Sequence, residues 1–185
     1  MAMEKPEKNR VAILIDGGNF FRKIRKDGLV PKGTRFDYVK FAKFLANGRL
    51  VSSKAYYIGI VRNFDNTEKS QKMVESQQKL LIGLENDGYE IKKGKIVYDN
   101  EIREKGVDVQ MAIDLVIGAA ENCYDTAIIV SSDTDLIPAI KYIKSKGKIV
   151  EYVGFSNAPS FGMIKESDVR ILLLKDQIGL LRQNL

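Results

Sequence analysis

The chain has 185 residues, 44% of them hydrophobic and 29% charged, with a net charge of +6. It contains no histidine and one cysteine, which excludes internal disulfides, multi-cysteine zinc sites and histidine-dependent catalysis. Any proton or metal chemistry therefore falls to carboxylates, lysines and tyrosines. No apolar run approaches the ~20 residues of a membrane helix, and the charged N-terminus lacks a signal-peptide core, so we expect a cytoplasmic protein.

Strands and helices alternate along the first half of the chain. Hydrophobic periodicity predicts a strand over residues 10–15, a helix over 19–26, a helix over 37–46, a strand over 53–61 and a helix over 68–86. A loop with Gly28, Pro31 and Gly33 separates the first two helices, and Asp37 is the predicted N-cap of the second. The alternation is typical of a parallel sheet with helical connections.

The same pattern continues in the second half. It predicts short strands over 89–92 and 95–98 around a turn at Lys93-Gly94, a helix over 107–121, a strand over 126–130, a helix over 136–145, a strand over 148–153, an edge strand over 169–174 and a short helix from Asp176. The thiol of Cys123 is expected to be packed or half-buried. Without repeats or linkers, residues 1–185 are predicted to form a single domain with its core over about residues 10–175.

Two apolar strands run directly into acidic motifs. Residues 11–15 lead into Asp16-Gly-Gly-Asn19, and residues 127–130 lead into Ser131-Ser-Asp133-Thr-Asp135. In an open parallel sheet, ligands bind beyond the carboxyl ends of the strands, so adjacent strands would bring these acids together. For the first motif, a capped strand-to-helix turn explains the residues equally well. For the second, capping explains one acid but not two acids with two serines.

A further pair of acids, Asp108 and Asp114, lies in the helix predicted over 107–121. Six helical residues turn by ~600° and rise by ~9 Å, so one ideal helix does not aim both side chains at one ion. Asp114 lies between Ile113 and Leu115 and needs a partner, since an unpaired carboxylate among apolar residues is unfavourable. The spacing leaves open which of the two acids is the direct ligand.

Several carboxylates within ~5 Å of one another repel by roughly 3 kcal/mol per pair at an effective dielectric near 20. A divalent cation reverses that repulsion, and oxygen ligands suit Mg²⁺ or Mn²⁺. An acidic site in a basic protein suits a polyanionic substrate, for which the candidate basic residues are Arg22, Lys23, Arg25, Lys26, Lys92, Lys93, Lys95, Lys105, Lys141 and Lys144. Tyr56, Tyr57 and Tyr98 either stack on bases or pack within strands.

Four segments of the chain resemble the NYN domain family, in its LabA-like branch of the PIN-like nucleases. They are Ala12-Ile-Leu-Ile-Asp16-Gly-Gly-Asn19, Lys105-Gly-Val-Asp108-Val-Gln-Met-Ala-Ile-Asp114-Leu, Ile129-Val-Ser-Ser-Asp133-Thr-Asp135-Leu and Lys146-Gly-Lys-Ile-Val150. The resemblance extends over about residues 10–153. Ser132 departs from the pattern, because many relatives have glycine there.

The resemblance implies a PIN-like, Rossmann-like three-layer α/β/α sandwich with a mainly parallel sheet, and a metal-dependent endoribonuclease. Asp16, Asp108 and Asp133 would bind Mg²⁺ or Mn²⁺. Asn19 would orient the first carboxylate or a water, while Asp114 and Asp135 would complete or support the cluster. The residues predicted to bind substrate are Arg22, Lys23, Lys105, Ser131, Ser132 and Thr134.

The expected partner is RNA rather than DNA, with no membrane, and a homo-oligomer is left open. Two other functions remain as alternatives. One is a non-catalytic RNA-binding or regulatory NYN module. The other is a phosphatase of the haloacid dehalogenase type, because Asp133-Thr-Asp135 is similar to the nucleophile motif of those enzymes. That motif requires Thr or Val at the position that Ile137 occupies, and it normally follows the first strand, so this interpretation ranks last.

Overall fold

The computed structural model describes residues 9–26, 30, 34–98 and 102–182. In this part of the chain one sheet contains β1 (Arg10–Asp16), β2 (Leu50–Ile60), β3 (Glu90–Tyr98), β4 (Ile102–Lys105), β5 (Thr126–Val130), β6 (Ile149–Phe155) and β7 (Val169–Leu173). The strand order is β4-β3-β2-β1-β5-β6-β7. All neighbouring strands are parallel except β3 and β4, which are antiparallel.

Helices cover both faces of this sheet. They are α1 (Gly17–Lys26), α2 (Tyr38–Ala46), α3 (Glu68–Asn86), α4 (Val107–Ala120), α5 (Ile137–Ser145), α6 (Phe161–Glu166) and α7 (Lys175–Leu180). Side chains of α1, α2, α3 and α7 belong to one apolar core, and those of α4, α5 and α6 belong to a second. The molecule is therefore an α/β/α sandwich with a mainly parallel sheet, which confirms the expected fold class.

The alternation of side chains along β1 determines where Asp16 lies. Ile13 and Ile15 point into the first core, whereas Ala12 and Leu14 point into the second. Because strand side chains alternate between faces, Asp16 follows Leu14 onto the α4 side of the sheet. β1 lies between β2 and β5 and is buried on both faces, so its last residue reaches the middle of the carboxyl edge.

Most elements predicted from the sequence are present in the structure. α3 has the predicted bounds of residues 68–86, and Asp37 caps α2 by accepting the Lys40 N–H at 2.8 Å. The predicted loop around Gly28, Pro31 and Gly33 lies outside the described residues. Among the helices of the described ranges, none is both long and apolar enough to cross a membrane.

The prediction of two short strands around Lys93-Gly94 is wrong. β3 continues from Glu90 to Tyr98, and its hairpin partner is β4. Gly94 pairs with Gly59 within the sheet, and a Cβ at Gly94 would overlap the side chain of Val107 at the start of α4. Gly94 therefore lets α4 pack closely against β3 and does not form the predicted turn.

Two further predictions need correction. Cys123 is exposed, because the neighbouring Tyr124 occupies the buried position and donates its hydroxyl to the Leu115 carbonyl at 2.6 Å. The sequence prediction also lacked α6, which precedes the edge strand.

Candidate active site

Asp16 is held at the carboxyl edge by donors from two adjacent parts of the fold. Its Oδ1 accepts the backbone N–H of Asn19 at 2.9 Å, and its Oδ2 accepts the Ser131 hydroxyl at 2.8 Å. Ser131 directly follows β5, whose Val130 pairs with Ile15 of β1. The register of two strands therefore fixes one carboxylate in one orientation, and Asn19 acts through its backbone.

Asp133 lies next to this pair and begins the 3₁₀ turn Thr134–Leu136. Its backbone N–H donates to Ser131 Oγ at 3.1 Å, and its Oδ1 accepts the Asp135 N–H at 2.9 Å. Ser131 thus links the Asp16 carboxylate to the Asp133 backbone. Of the two acids in this motif, Asp133 is the one that caps the turn. Asp135 is exposed on the turn.

Glu104 is a fourth acid that the sequence analysis missed. It lies on β4, and its carboxylate accepts a hydrogen bond from the Gly59 N–H of β2. A Cβ at Gly18 would overlap Glu104 Oε2, and a Cβ at Gly59 would lie 2.8 Å from Oε1. Two glycines therefore make room for this carboxylate, and one of them is the second glycine of the Asp16-Gly-Gly motif. No local sequence signal marked Glu104, because its position depends on the pairing of β4 with β3.

The acids at this edge perturb one another electrostatically. Burial raises the pKa of Asp16, and the Asp133 carboxylate adds to that rise, while the Asn19 N–H, the Ser131 hydroxyl and the Arg22 charge oppose it. Burial likewise raises the pKa of Glu104. Asp16 and Asp108 raise that pKa further, and the Gly59 N–H and Arg22 lower it. Asp16, Asp133, Glu104 and Asp108 thus share one region of negative charge that Arg22 partly balances.

Asp108 and Asp114 have different surroundings, although they share α4. Asp108 lies in the first turn of α4, where its charge contributes to the raised pKa of Glu104. Asp114 accepts the Tyr57 hydroxyl at 2.9 Å and the Gln110 side-chain amide at 2.8 Å, and lies 3.5 Å from Lys92 Nζ. The partner expected for Asp114 is therefore present, and its oxygens are engaged within the fold.

The predicted substrate-binding residues fall into two groups. Arg22, Lys105 and Thr134 are exposed and Lys23 is half-buried, so these four side chains reach solvent. The two serines instead contact the protein: Ser131 donates to Asp16, and Ser132 Oγ lies 3.2 Å from the Tyr152 hydroxyl.

Several of the other basic and aromatic candidates have partners within the fold. Lys92 pairs with Glu90, Lys141 with Glu166 and Lys144 with Asp168. Tyr56 and Tyr57 are buried in the core and do not offer a face to a base. Tyr98 stacks on Phe64 with ring centroids 4.2 Å apart. The packing interpretation is therefore right for Tyr56 and Tyr57, whereas Tyr98 is half-buried and pairs with the exposed Phe64.

The donor set fits a hard divalent cation. The candidate ligands are carboxylate oxygens, and two of them, Asp16 and Glu104, have raised pKa values for which nearby acids are partly responsible. Within the described ranges, no three acidic or cysteine side chains are grouped tightly enough to enclose an ion. Mg²⁺ usually keeps several waters and binds one or two carboxylates plus substrate phosphates, so an open arrangement suits it.

Comparisons with known proteins identify the family of the chain. The family model described as the NYN domain matches residues 10–172. The chain is 30% identical, over 153 residues, to an uncharacterized protein of Methanocaldococcus jannaschii, with 83% of this chain and 50% of that protein covered. The chain thus spans half the length of this curated relative.

A solved structure shows the same fold. It is a protein of unknown function from Vibrio parahaemolyticus, with a TM-score of 0.70, 22% identity, and coverage of 94% of this chain and 98% of that one. The family match takes precedence over the haloacid dehalogenase interpretation of Asp133-Thr-Asp135, because it accounts for most of the chain. The chain belongs to the NYN domain family, within the PIN-like nuclease superfamily.

Proposed function

We propose that this protein is a divalent-metal-dependent endoribonuclease. One observation carries the proposal: the Asp16 carboxylate is fixed by Asn19 and Ser131 and shares its surroundings with other acids rather than with an ion-pair partner. Such an arrangement raises the free energy of the folded protein unless a cation binds. Membership of the NYN family supports a nuclease, since this family usually has that activity.

In this proposal Asp16, Asp108 and Asp133 hold Mg²⁺ or Mn²⁺, and Glu104 extends the cluster. When bound, the ion would activate water and stabilise charge on the phosphoryl group. Ser131 and the Asn19 backbone keep Asp16 oriented, and Asp135 positions Asp133 through its backbone N–H. Because the chain has no histidine, a proton released by water passes to a carboxylate or to solvent.

The substrate in this proposal is RNA rather than DNA. Arg22 lies close enough to affect the pKa of both Asp16 and Glu104, so it can also neutralise a phosphate beside the acids. Lys23, Lys105 and Thr134 add exposed or half-buried polar groups. A cytoplasmic location stays a prediction, and a homo-oligomer stays open.

A non-catalytic RNA-binding module is the second candidate. The open spacing of the acids is compatible with this candidate as well as with an Mg²⁺ ion that keeps several waters, because none of the described groups of three acids encloses an ion. Binding of several RNAs without products, in Mg²⁺ and in Mn²⁺, would support this candidate. Metal-dependent products that disappear with excess EDTA would support the nuclease.

The decisive experiment compares acids at opposite edges of the sheet. Asp16→Asn and Asp133→Asn should each reduce metal-dependent RNA cleavage by at least about 100-fold, since each removes a proposed ligand. Asp125→Asn is the control, because Asp125 pairs with Arg10 at the amino edge. Measured on labelled single-stranded RNA, wild-type rates in both site variants would contradict the proposal.

A second pair of variants tests the two acids of α4. Asp108→Asn should weaken Mn²⁺ binding in calorimetry and reduce cleavage, whereas Asp114→Asn should change metal binding little and lower the melting temperature. The reason is that Asp108 is among the acids that raise the pKa of Glu104, whereas Asp114 raises the pKa of neither Asp16 nor Glu104 and instead bonds to Tyr57 and Gln110. Equal loss of metal binding in both variants would assign Asp114 to the ion as well.

A further inference from the structure

A groove lies between α1 and α3 on the face of the sheet opposite α4. Its volume is about 1250 Å³, and it borders Gly17 and Gly18 at one end. These glycines directly follow Asp16, so the groove opens beside the proposed acidic site. Its lining extends from Glu68 to Asp87, which is the whole length of α3, or roughly 28 Å for a 19-residue helix.

The charged side chains along the groove are predominantly basic. Its described lining includes two carboxylates, Glu68 and Asp87, and five cationic side chains: Arg25, Arg35, Lys69, Lys72 and Lys79. The Lys72–Glu68 pair is exposed, with side-chain accessibilities of 70% and 81%, so solvent screens it. Lys69 and Lys79 are exposed and make no ion pair with a described residue. The charge therefore favours a polyanion.

The same groove offers apolar surface for flat groups. Phe21 on α1 is 45% exposed, and Met73 on α3 is 47% exposed. The Arg25 guanidinium lies 5.7 Å from the centroid of the Phe21 ring. Exposed aromatic side chains between cations are what single-stranded nucleic acids use, because bases stack on rings while phosphates contact cations.

We infer that this groove binds a single-stranded segment of RNA and leads it to the acidic site. The inference rests on the proposed function for its direction, since the groove borders Gly18, which lies against Glu104 of the proposed site. Paired bases are stacked within their helix and unavailable to Phe21, so the expected substrate is single-stranded or looped. A groove of this length accommodates about four or more nucleotides.

The test measures RNA binding apart from cleavage. Fluorescence anisotropy in EDTA compares a labelled single-stranded 20-mer with a blunt duplex of the same sequence. The variants are Phe21→Leu, which keeps an apolar side chain, and the double variant Lys69→Gln with Lys79→Gln. The matched control is Lys165→Gln with Lys175→Gln, which removes the same charge from exposed positions that do not line the groove.

We expect the wild type to bind the single strand at least about 10-fold more tightly than the duplex. Phe21→Leu should raise Kd for the single strand by about 5-fold or more. The groove lysine variant should also raise Kd and reduce the slope of log K against log salt by about 1.4. Each phosphate contact to a single strand contributes about 0.7 to the magnitude of this slope, and the variant removes two lysines. The control should change the slope by less than half of this.

Three results would overturn the inference. The first is wild-type binding in both groove variants, and the second is an equal loss of binding in the lysine control. The third is a wild-type dimer in light scattering that Phe21→Leu dissociates, which would make the groove a contact between copies of the chain. Melting temperatures close to that of the wild type verify folding, because the changed side chains are exposed.

Failure of this inference is distinguishable from failure of the proposed function. If groove variants lose binding while no metal supports cleavage, the groove stands and the nuclease proposal fails. If Asp16→Asn abolishes cleavage while groove variants retain wild-type Kd and KM, the nuclease proposal stands and the groove fails.

Discussion

Acidic residues at the two edges of the sheet differ in their partners. At the amino edge, Asp125 pairs with Arg10 at 2.9 Å, and Asp168 pairs with Lys144 at 2.8 Å. At the carboxyl edge, Asp16 and Glu104 accept hydrogen bonds from neutral groups. The same kind of side chain thus has a cationic partner at one edge and other acids at the opposite edge.

The pKa values follow this difference. Hydrogen bonds and the charge of Arg10 lower the pKa of Asp125. For Asp168, burial raises the pKa, but bonds from Lys144 and the Val150 N–H outweigh it, so the pKa is lowered. Burial and neighbouring acids raise the pKa of Asp16 and Glu104. The acids with a cationic partner stabilise the fold, whereas Asp16 and Glu104 lower its stability. Acids of the second kind are typical of functional sites.

The largest change in stability is expected at the paired edge. Asp125→Ala removes the acceptor of the Arg10 backbone N–H at 2.7 Å and of its guanidinium. Because Asp125 is partly exposed, we expect a loss of about 1–2 kcal/mol, or about 3–6 °C in melting temperature. Unchanged melting would show that the pairing does not stabilise the edge.

The pH dependence of this loss has a definite sign. The pKa of Asp125 is lower in the folded protein than the ordinary 3.8, so its stabilisation is present above pH 3.8 and disappears as pH falls through the folded value. The difference between wild type and Asp125→Ala, measured by urea unfolding, should therefore be constant near neutral pH and shrink in acid.

The opposite sign is expected at the carboxyl edge. The folded pKa of Asp16 lies above 3.8, so the contribution of Asp16 to stability is highest below pH 3.8 and decreases as pH rises through the folded value. Asp16→Asn should therefore stabilise the metal-free protein at neutral pH by about 1 kcal/mol, or about 2–4 °C, with no gain near pH 3. A loss at neutral pH would mean that ionised Asp16 stabilises the fold.

The smallest effect on stability is expected for Gly18→Ala, whose main effect should be on the Mn²⁺ affinity of the acidic cluster. Its Cβ would displace the flexible Glu104 side chain, so Mn²⁺ affinity should fall several-fold, by an amount similar to Glu104→Gln. The double variant should lose little more, because both changes act on one carboxylate. Gly83→Ala is the control, since its Cβ meets no atom within 4 Å. If the losses of Mn²⁺ affinity in the two single variants add up in the double variant, Gly18 does not act through Glu104.

The sequence predicted those parts of the site that depend on local pattern. Residues 11–15 and 127–130 are apolar and end in acids, so general rules for parallel sheets place Asp16 and Asp133 at one edge. Helix geometry separated Asp108 from Asp114, and the different partners of the two acids agree with that separation. Glu104 was not predictable in this way, because its place depends on β4 returning beside β3.

Two errors have the same physical origin. Gly94 carries a turn signal, yet it lies within β3 because α4 packs against it through Val107. Cys123 has an apolar character typical of the interior, yet Tyr124 fills the available space beneath α4. In both cases the tertiary neighbour, which the local sequence does not contain, decides the outcome.

The hydrogen bond between Ser131 and Asp16 joins residues 115 positions apart in the chain. A growing chain on the ribosome makes Asp16 early and Ser131 much later, and β1 gains its β5 neighbour only after that. On the proposed function, the hydrolytic centre therefore stays incomplete until β5 has folded against β1, so a nascent chain that ends before Ser131 has no cleavage activity.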